Sequence, residues 1–183
     1  MFVFSITVFE LFSQVFDASD PHGGRKMRKS QRARLFAEWA VAKFGSGLCV
    51  LDVAGGTGAL ARALLAAGMS RVVLVDPRCL DHDISDPQIL LQPRLLNSSF
   101  ECPVAVDLVL ALHPDEATDG SFEFAKARGI PFAVVPCCVF ADSFVRNGCV
   151  RTYEDLLEYL QKKYDCERAY LQIQGRNIVL FGK

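Results

Sequence analysis

The chain has 183 residues, 51% of them hydrophobic, with a formal net charge of −1 and seven cysteines. That length buries a proper core within one domain. The odd cysteine count, without a C-x-x-C spacing, argues against a disulfide framework. It fits reduced thiols in the cytoplasm or nucleus. Charge is uneven: residues 1–47 carry seven Lys/Arg against four Asp/Glu, and residues 48–183 carry thirteen against seventeen, so any contact with a polyanion should begin at the N-terminal end.

Met1 to Phe16 is apolar, with Phe at 2, 4, 9, 12 and 16, and is interrupted by Glu10 and Gln14. It lacks a basic leader and is short for a membrane span. The expectation is an arm that packs on its own domain, on a second copy or on a partner chain. A turn-like stretch through Pro21, Gly23 and Gly24 closes this arm, residues 1–24. Residues 25–183 then form a single domain. Its N-terminal extension is a basic helix over 25–44, with six cations between Arg25 and Arg34. Leu35, Phe36, Trp39, Ala40 and Phe44 follow at helical spacing and predict a buried stripe. Arg25, Lys26, Arg28 and Lys29 are candidate substrate-binding residues, able to contact RNA phosphates. A solvated helix face is the alternative for the same run.

The apolar run Leu48 to Leu51 leads into Asp52-Val53-Ala54-Gly55-Gly56-Thr57-Gly58, and a helix-like stretch from Leu60 to Gly68 follows. Strand, tight glycine loop and helix in that order gather backbone N–H groups and a helix dipole at one spot, as a nucleotide-type ligand requires. Val72 to Val75 predicts the second strand, ending in Asp76 and Pro77. An acid at that place holds ribose hydroxyls in α/β nucleotide folds. Gly55, Gly56 and Gly58 do not spell the G-x-G-x-x-G dinucleotide fingerprint.

Downstream, a short helix is expected over 86–92 and a weak third strand over 94–100. A fourth strand follows over 105–112, buried on both faces. A helix over 116–128 ends at Gly129, and the fifth strand covers 131–140. Thr152 and Asp155 make a capping-box start to a helix over 153–164. Two strands over 169–174 and 177–181 close the chain as a hairpin around Gly175-Arg176. The fold class is α/β: a doubly wound, seven-stranded, mostly parallel sheet with an antiparallel last strand.

Chemistry in such sheets sits beyond the carboxyl ends of the strands. Strand four ends in His113-Pro114-Asp115 and strand five in Cys137-Cys138. His113 is a candidate general base, or a polar residue that ties down its loop. Asp115 could bind an acceptor or cap the following helix. Cys137 and Cys138 have three readings: packing, a zinc site with His113 and Cys149, or a nucleophile that activates a pyrimidine ring. The second lacks any diagnostic ligand spacing, so no metal is assigned.

The pattern of Asp52, Ala54, Gly56 and Gly58 resembles motif I of class I S-adenosylmethionine (SAM) methyltransferases, and the terminal hairpin matches that fold. The resemblance implies SAM as cofactor, with Asp52, Ala54, Gly55, Gly56 and Gly58 against its methionine part and Asp76 with Pro77 at its ribose. RNA cytosine-5 methyltransferases place a nucleophilic cysteine at the end of strand five; they also need a Pro-Cys and an acid at strand four, where this chain has His-Pro-Asp. His113 with Ala117-Thr118-Asp119, paired with Cys137-Cys138, resembles a eukaryotic group of tRNA ribose 2′-O-methyltransferases and related methyltransferase-like proteins. The family pattern there usually reads His-x-Cys-Gly, and this chain departs from it at Pro114-Asp115-Glu116. The expected activity is therefore methyl transfer from SAM to an RNA nucleoside, with tRNA as the expected RNA. A small-molecule or protein acceptor, and a non-catalytic SAM-binding scaffold that activates a partner, remain as alternatives. His113, Asp115 and Cys137 are the candidate catalytic residues.

Overall fold

A computed structural model describes residues 24–137, 150, 152–173 and 175–183, with side chains from residue 30 onward. The apolar arm, Cys138 and Cys149 lie outside the described residues. In chain order the elements are α1 (Gly24–Phe44), β1 (Cys49–Val53), α2 (Ala59–Ala66), β2 (Arg71–Val75), β3 (Ile89–Gln92) and β4 (Leu108–Leu112). Then come α3 (Thr118–Arg128), β5 (Phe132–Val135), α4 (Tyr153–Tyr164), β6 (Glu167–Tyr170) and β7 (Ile178–Gly182).

The seven strands form one sheet in the order β3-β2-β1-β4-β5-β7-β6. Strands β1 to β5 run parallel, and β7 lies antiparallel between β5 and β6. The chain fills one side of β1 and then returns to fill the other from β4. The carboxyl ends of β1 and β4 therefore splay into the crevice where such sheets take ligands.

Period-two alternation within each strand feeds two separate cores. Val50, Val72, Leu108 and Ala133 face the helices α1 and α2, meeting Phe36, Ala37, Ala40, Leu60 and Leu64. Leu51, Val73, Val109 and Phe132 face α3 and α4, meeting Phe122, Ala125, Leu156, Leu157 and Leu160. Both faces are covered, which is why these strands read as continuous apolar runs rather than alternating ones. Phe122 sits at the centre of the second core, edge-on to Phe132 at 5.2 Å and stacked on Tyr164 at 4.6 Å.

Several predicted boundaries move. The third strand is Ile89–Gln92, inside the stretch expected to be a short helix, and 94–100 carries no strand. Pro87 and Pro93 bracket it: proline disfavours the helical region for the residue before it and cannot donate to a ladder. Parallel pairing of Ile89 to Gln92 with Val72 to Val75 then holds the segment extended. Strand β4 starts at Leu108, because Asp107 turns its carboxylate onto the Cys49 amide at 2.8 Å. Strand β6 begins at Glu167, earlier than expected, to pair with Phe181 across the hairpin.

The capping box is formed as expected. The Asp155 amide donates to the Thr152 hydroxyl at 3.1 Å and the Thr152 amide to the Asp155 carboxylate at 2.8 Å. Thr152→Ala should therefore cost about 1 kcal/mol and lower the melting temperature by roughly 2–4 °C. Thermal denaturation followed by circular dichroism checks this; an unchanged midpoint would show that the cap carries no stability.

Candidate functional site

The loop after β1 turns within a few residues. Ala54 takes a left-handed backbone, φ 57°, and its amide donates to the Val75 carbonyl at 2.9 Å, which ties the loop to β2. Gly55 is required by close approach: a Cβ there would stand 2.5 Å from Asp52 Oδ2 and 2.7 Å from Leu74 Cγ. Gly58 is required by conformation, with φ 72°, and by Ile84, whose Cδ1 would meet a Cβ at 2.9 Å. The chain then enters α2.

Two carboxylates end the strands β1 and β2, and both are buried. Asp76 is satisfied: its oxygens accept from the Gly56 amide at 3.0 Å and the Arg78 amide at 2.8 Å. The Arg78 guanidinium stands 3.6 Å away, largely in solvent. Asp52 is fully buried, and neither of its oxygens has a hydrogen-bond partner. Burial pushes its pKa up to about 8; the Ala61 amide partly offsets this without completing a hydrogen bond, and the Asp76 charge adds to it. A buried carboxylate with no donor is costly and is found where a partner is to be supplied.

At the end of β4, His113 and Asp115 also adopt left-handed backbone, φ 57° and 48°. Together with Ala54, three of the four non-glycine residues with positive φ among the described residues line one cleft; the fourth, Asp165, ends α4. Strain of this kind costs on the order of 1–3 kcal/mol per residue and persists where the surroundings enforce it. The His113 amide donates to the Val135 carbonyl at 3.0 Å, and its ring Nε2 lies 3.2 Å from the Arg176 carbonyl. A carbonyl only accepts, so in neutral His113 Nε2 carries the hydrogen and Nδ1 holds the lone pair. Burial lowers its pKa and Arg32 lowers it further, against the Arg176 carbonyl and the Asp115 charge. His113 is thus neutral, and basic at Nδ1, at physiological pH.

The Cys137 thiol donates to Asp115 Oδ1 at 2.8 Å. Asp115 is therefore not a side-chain helix cap; the Thr118 hydroxyl closes that turn on the Asp115 carbonyl at 2.7 Å. Backbone near the thiol is held from the β6–β7 turn and α4. Arg176 Nε donates to the Cys137 carbonyl at 3.2 Å, the Tyr153 hydroxyl donates to the Pro136 carbonyl at 2.9 Å, and the Arg176 guanidinium lies 3.7 Å above the Tyr153 ring.

These residues surround a cleft of two chambers that share Ala54, His113 and Asp115. The larger, ≈ 580 Å³, is walled by Asp76, Pro77, Arg78, Arg94, Leu96 and Asn97. The smaller, ≈ 400 Å³, has Asp52, Gly55, Thr57, Arg32 and Cys137 in its walls. Gly56 and Gly58 lie outside both linings: Gly56 spends its amide on Asp76, and Gly58 turns the chain into α2. Arg25, Lys26, Arg28 and Lys29 fall on the first two turns of α1, and their side chains lie outside the described residues. Arg32 is a site residue that the sequence does not single out, since it is one cation among six. Its position one residue before the buried Ala33 is the available signal. Arg94 and Asn97 are likewise unannounced, because they fall in the stretch predicted as strand three. Of the zinc reading, His113 and Cys137 share the smaller chamber, while Cys138 and Cys149 lie outside the described residues. Among the described residues, no helix is long and apolar enough to cross a membrane.

Neither a protein-family model nor a curated protein sequence matches the chain. Solved structures match the fold. Magnesium protoporphyrin IX methyltransferase from Synechocystis PCC 6803, crystallised with S-adenosylhomocysteine, superposes with a TM-score of 0.57 at 15% identity, covering 91% of this chain and 88% of that one. Ribosomal protein L11 methylase from Lactobacillus delbrueckii subsp. bulgaricus gives 0.54 at 15% identity over 84% and 77%. A protein from Anabaena variabilis ATCC 29413, named for a methyltransferase of an antibiotic biosynthesis pathway, gives 0.52 at 14% over 75% of this chain; this chain spans 65% of its length. At these identities the likeness establishes the fold, that of class I SAM-dependent methyltransferases.

Asp52 sets a pH dependence. Its folded-state pKa of about 8 stands above the ordinary value of 3.8, so the folded protein holds that proton more tightly than the unfolded chain. The stability this gives is fully present below pH 3.8 and is lost as pH rises through about 8. Asp52→Asn should raise the melting temperature of the ligand-free protein at pH 8 by on the order of 5 °C and leave it little changed at pH 4. A variant that tracks wild type across that range would contradict the assignment.

Proposed function

We propose that this protein is a SAM-dependent methyltransferase whose acceptor is a nucleoside of RNA. The observation that carries the cofactor assignment is Asp52: a buried carboxylate with two unpartnered oxygens in the wall of the smaller chamber, beside the glycine loop. The methionine part of SAM presents an α-ammonium, which supplies the missing donors, and an α-carboxylate, for which Arg32 is the cation in the same wall. Asp76 bonds one amide through each oxygen, and each oxygen has a second lone pair left for the ribose hydroxyls. Pro77, Leu96 and Ala117 give the larger chamber apolar walls for a purine.

SAM supplies an electrophilic methyl group on a sulfonium. The chain's own part is to hold donor and acceptor in line, keep bulk water out and accept a proton. His113 is placed to accept that proton, since it borders both chambers and Nδ1 is its basic atom. Asp115 and Cys137 face the same space from the ends of β4 and β5.

RNA is favoured as acceptor because the cation run starting at Arg25 occupies one helix, and that helix brings Arg32 into the cleft wall. A polyanion bound along α1 would thus be led to the methyl-transfer chamber.

Incubation with methyl-labelled SAM and separated RNA, protein and metabolite fractions tests the whole reading. Label in RNA is the expected outcome; label confined to protein or metabolites would contradict the acceptor, and absence of SAM binding would contradict the enzyme. Neutralising Arg25, Lys26, Arg28 and Lys29 together should reduce the slope of log affinity against log salt by roughly three for single-stranded RNA. Asp76→Ala should weaken SAM binding by at least about tenfold, the loss expected when a charged ribose contact is removed; unchanged affinity would contradict its role.

A further inference from the structure

We propose that Arg176, on the turn between β6 and β7, anchors a phosphodiester of the RNA next to the nucleoside that is methylated. This rests on the methyltransferase reading above and adds an acceptor contact outside the two chambers, whose linings include neither Arg176 nor Tyr153. With SAM assigned to both chambers, an acceptor has to reach the methyl group across their rim. The β6–β7 turn is part of that rim, because Arg176 bonds His113 and Cys137, which line the smaller chamber.

The Arg176 side chain is exposed and yet fixed. Its Nε donates to the Cys137 carbonyl at 3.2 Å, and its guanidinium lies 3.7 Å above the Tyr153 ring. The ring is itself tied down by its hydroxyl, which donates to the Pro136 carbonyl at 2.9 Å. Gly175 takes a left-handed backbone, φ 89°, and so sets the turn that places Arg176. A guanidinium already stacked on a ring has lost much of its rotamer freedom, so binding a further partner costs little more order.

What this cation lacks is an anion. Arg34, Arg78, Arg168 and Lys163 each face a carboxylate, and among the described residues Arg176 faces none. The acids at hand are already engaged. Glu154, next to Tyr153 in the chain, pairs with Arg168, and Asp115 accepts from the Cys137 thiol. With Nε spent on a carbonyl, the two Nη groups remain, an edge whose parallel N–H bonds fit two oxygens of one phosphate.

Continuity of charge favours a phosphodiester over an isolated carboxylate. A Cβ on Gly175 would stand 3.4 Å from Arg32 Nη2, so the turn abuts the helix that carries the cation run. Cations therefore continue from α1 through Arg32 to Arg176 along one side of the cleft. A lone carboxylate occupies one of them; a nucleic-acid strand, charged at every nucleotide, occupies the row.

The test uses the full-length protein with S-adenosylhomocysteine and the RNA that labelled SAM marks. Binding is read by fluorescence anisotropy at several salt concentrations. Arg176→Gln should weaken it about tenfold at low salt. The slope of log affinity against log salt should flatten by about 0.7, the contribution of one phosphate contact on a single strand. Arg176→Lys should keep the slope and recover part of the affinity, since the charge remains without the fork. A single neutral methylphosphonate, walked along the RNA beside a matched 2′-deoxy control, locates the contact on the wild-type protein. One linkage next to the methylated nucleoside should weaken binding, and that loss should vanish in Arg176→Gln. A residue that only braces the turn would shift the melting temperature and leave the slope unmoved. An unchanged slope, including weaker binding at unchanged slope as a base stacked on the guanidinium would give, overturns the proposal and leaves the methyltransferase reading standing. So do methylphosphonate losses that are identical in both proteins. If label enters only protein or metabolites, the RNA acceptor and this anchor fall together.

Discussion

The cleft is organised by an inequality between two buried carboxylates on adjacent parallel strands. Asp76 is bonded by the Gly56 and Arg78 amides, so it locks the glycine loop to the end of β2. Asp52 packs against Gly55 with no donor on either oxygen. Desolvating a carboxylate without a donor costs several kcal/mol or forces a proton onto it, and Asp52 takes the second course. The first acid is structural even without ligand. The second is completed only when a cation arrives, and that couples ligand binding to a change of protonation.

Strain is distributed in the same place. Ala54, His113 and Asp115 hold left-handed backbone at the ends of β1 and β4, while the sheet beneath them is regular and covered by apolar residues on both faces. The cores supply the rigidity that holds those residues in unfavourable conformations. The β6–β7 hairpin has a part as well, since its antiparallel return brings the Arg176 carbonyl to His113 and the Arg176 side chain to the Cys137 carbonyl. The terminal hairpin therefore buttresses the cleft as well as finishing the sheet.

The glycine loop is the most legible part of the sequence, because left-handed turns and close approach to a carboxylate admit few residues, and Gly55 and Gly58 stand where those constraints fall. The capping box at Thr152 is equally legible, being a local pairing of two side chains with two amides. The third strand is not: its four residues, within the five between Pro87 and Pro93, carry too little periodicity, and their extension comes from pairing with β2. Arg32 is hidden in a run of six cations, and nothing in the sequence marks it as the one in the cleft wall. The thiol–carboxylate contact joins residues 22 apart and depends on the left-handed backbone of Asp115, which no local pattern announces. Nor does the sequence reveal that two similar acids, Asp52 and Asp76, are treated oppositely by the backbone.

The most direct measurement is calorimetric titration of SAM at neutral pH in buffers of different ionisation enthalpy. If Asp52 is the carboxylate that receives the cofactor ammonium, binding should release about one proton, and Asp52→Asn should bind more weakly with that release gone. No binding, or binding whose proton balance is zero and identical in the variant, would contradict the account.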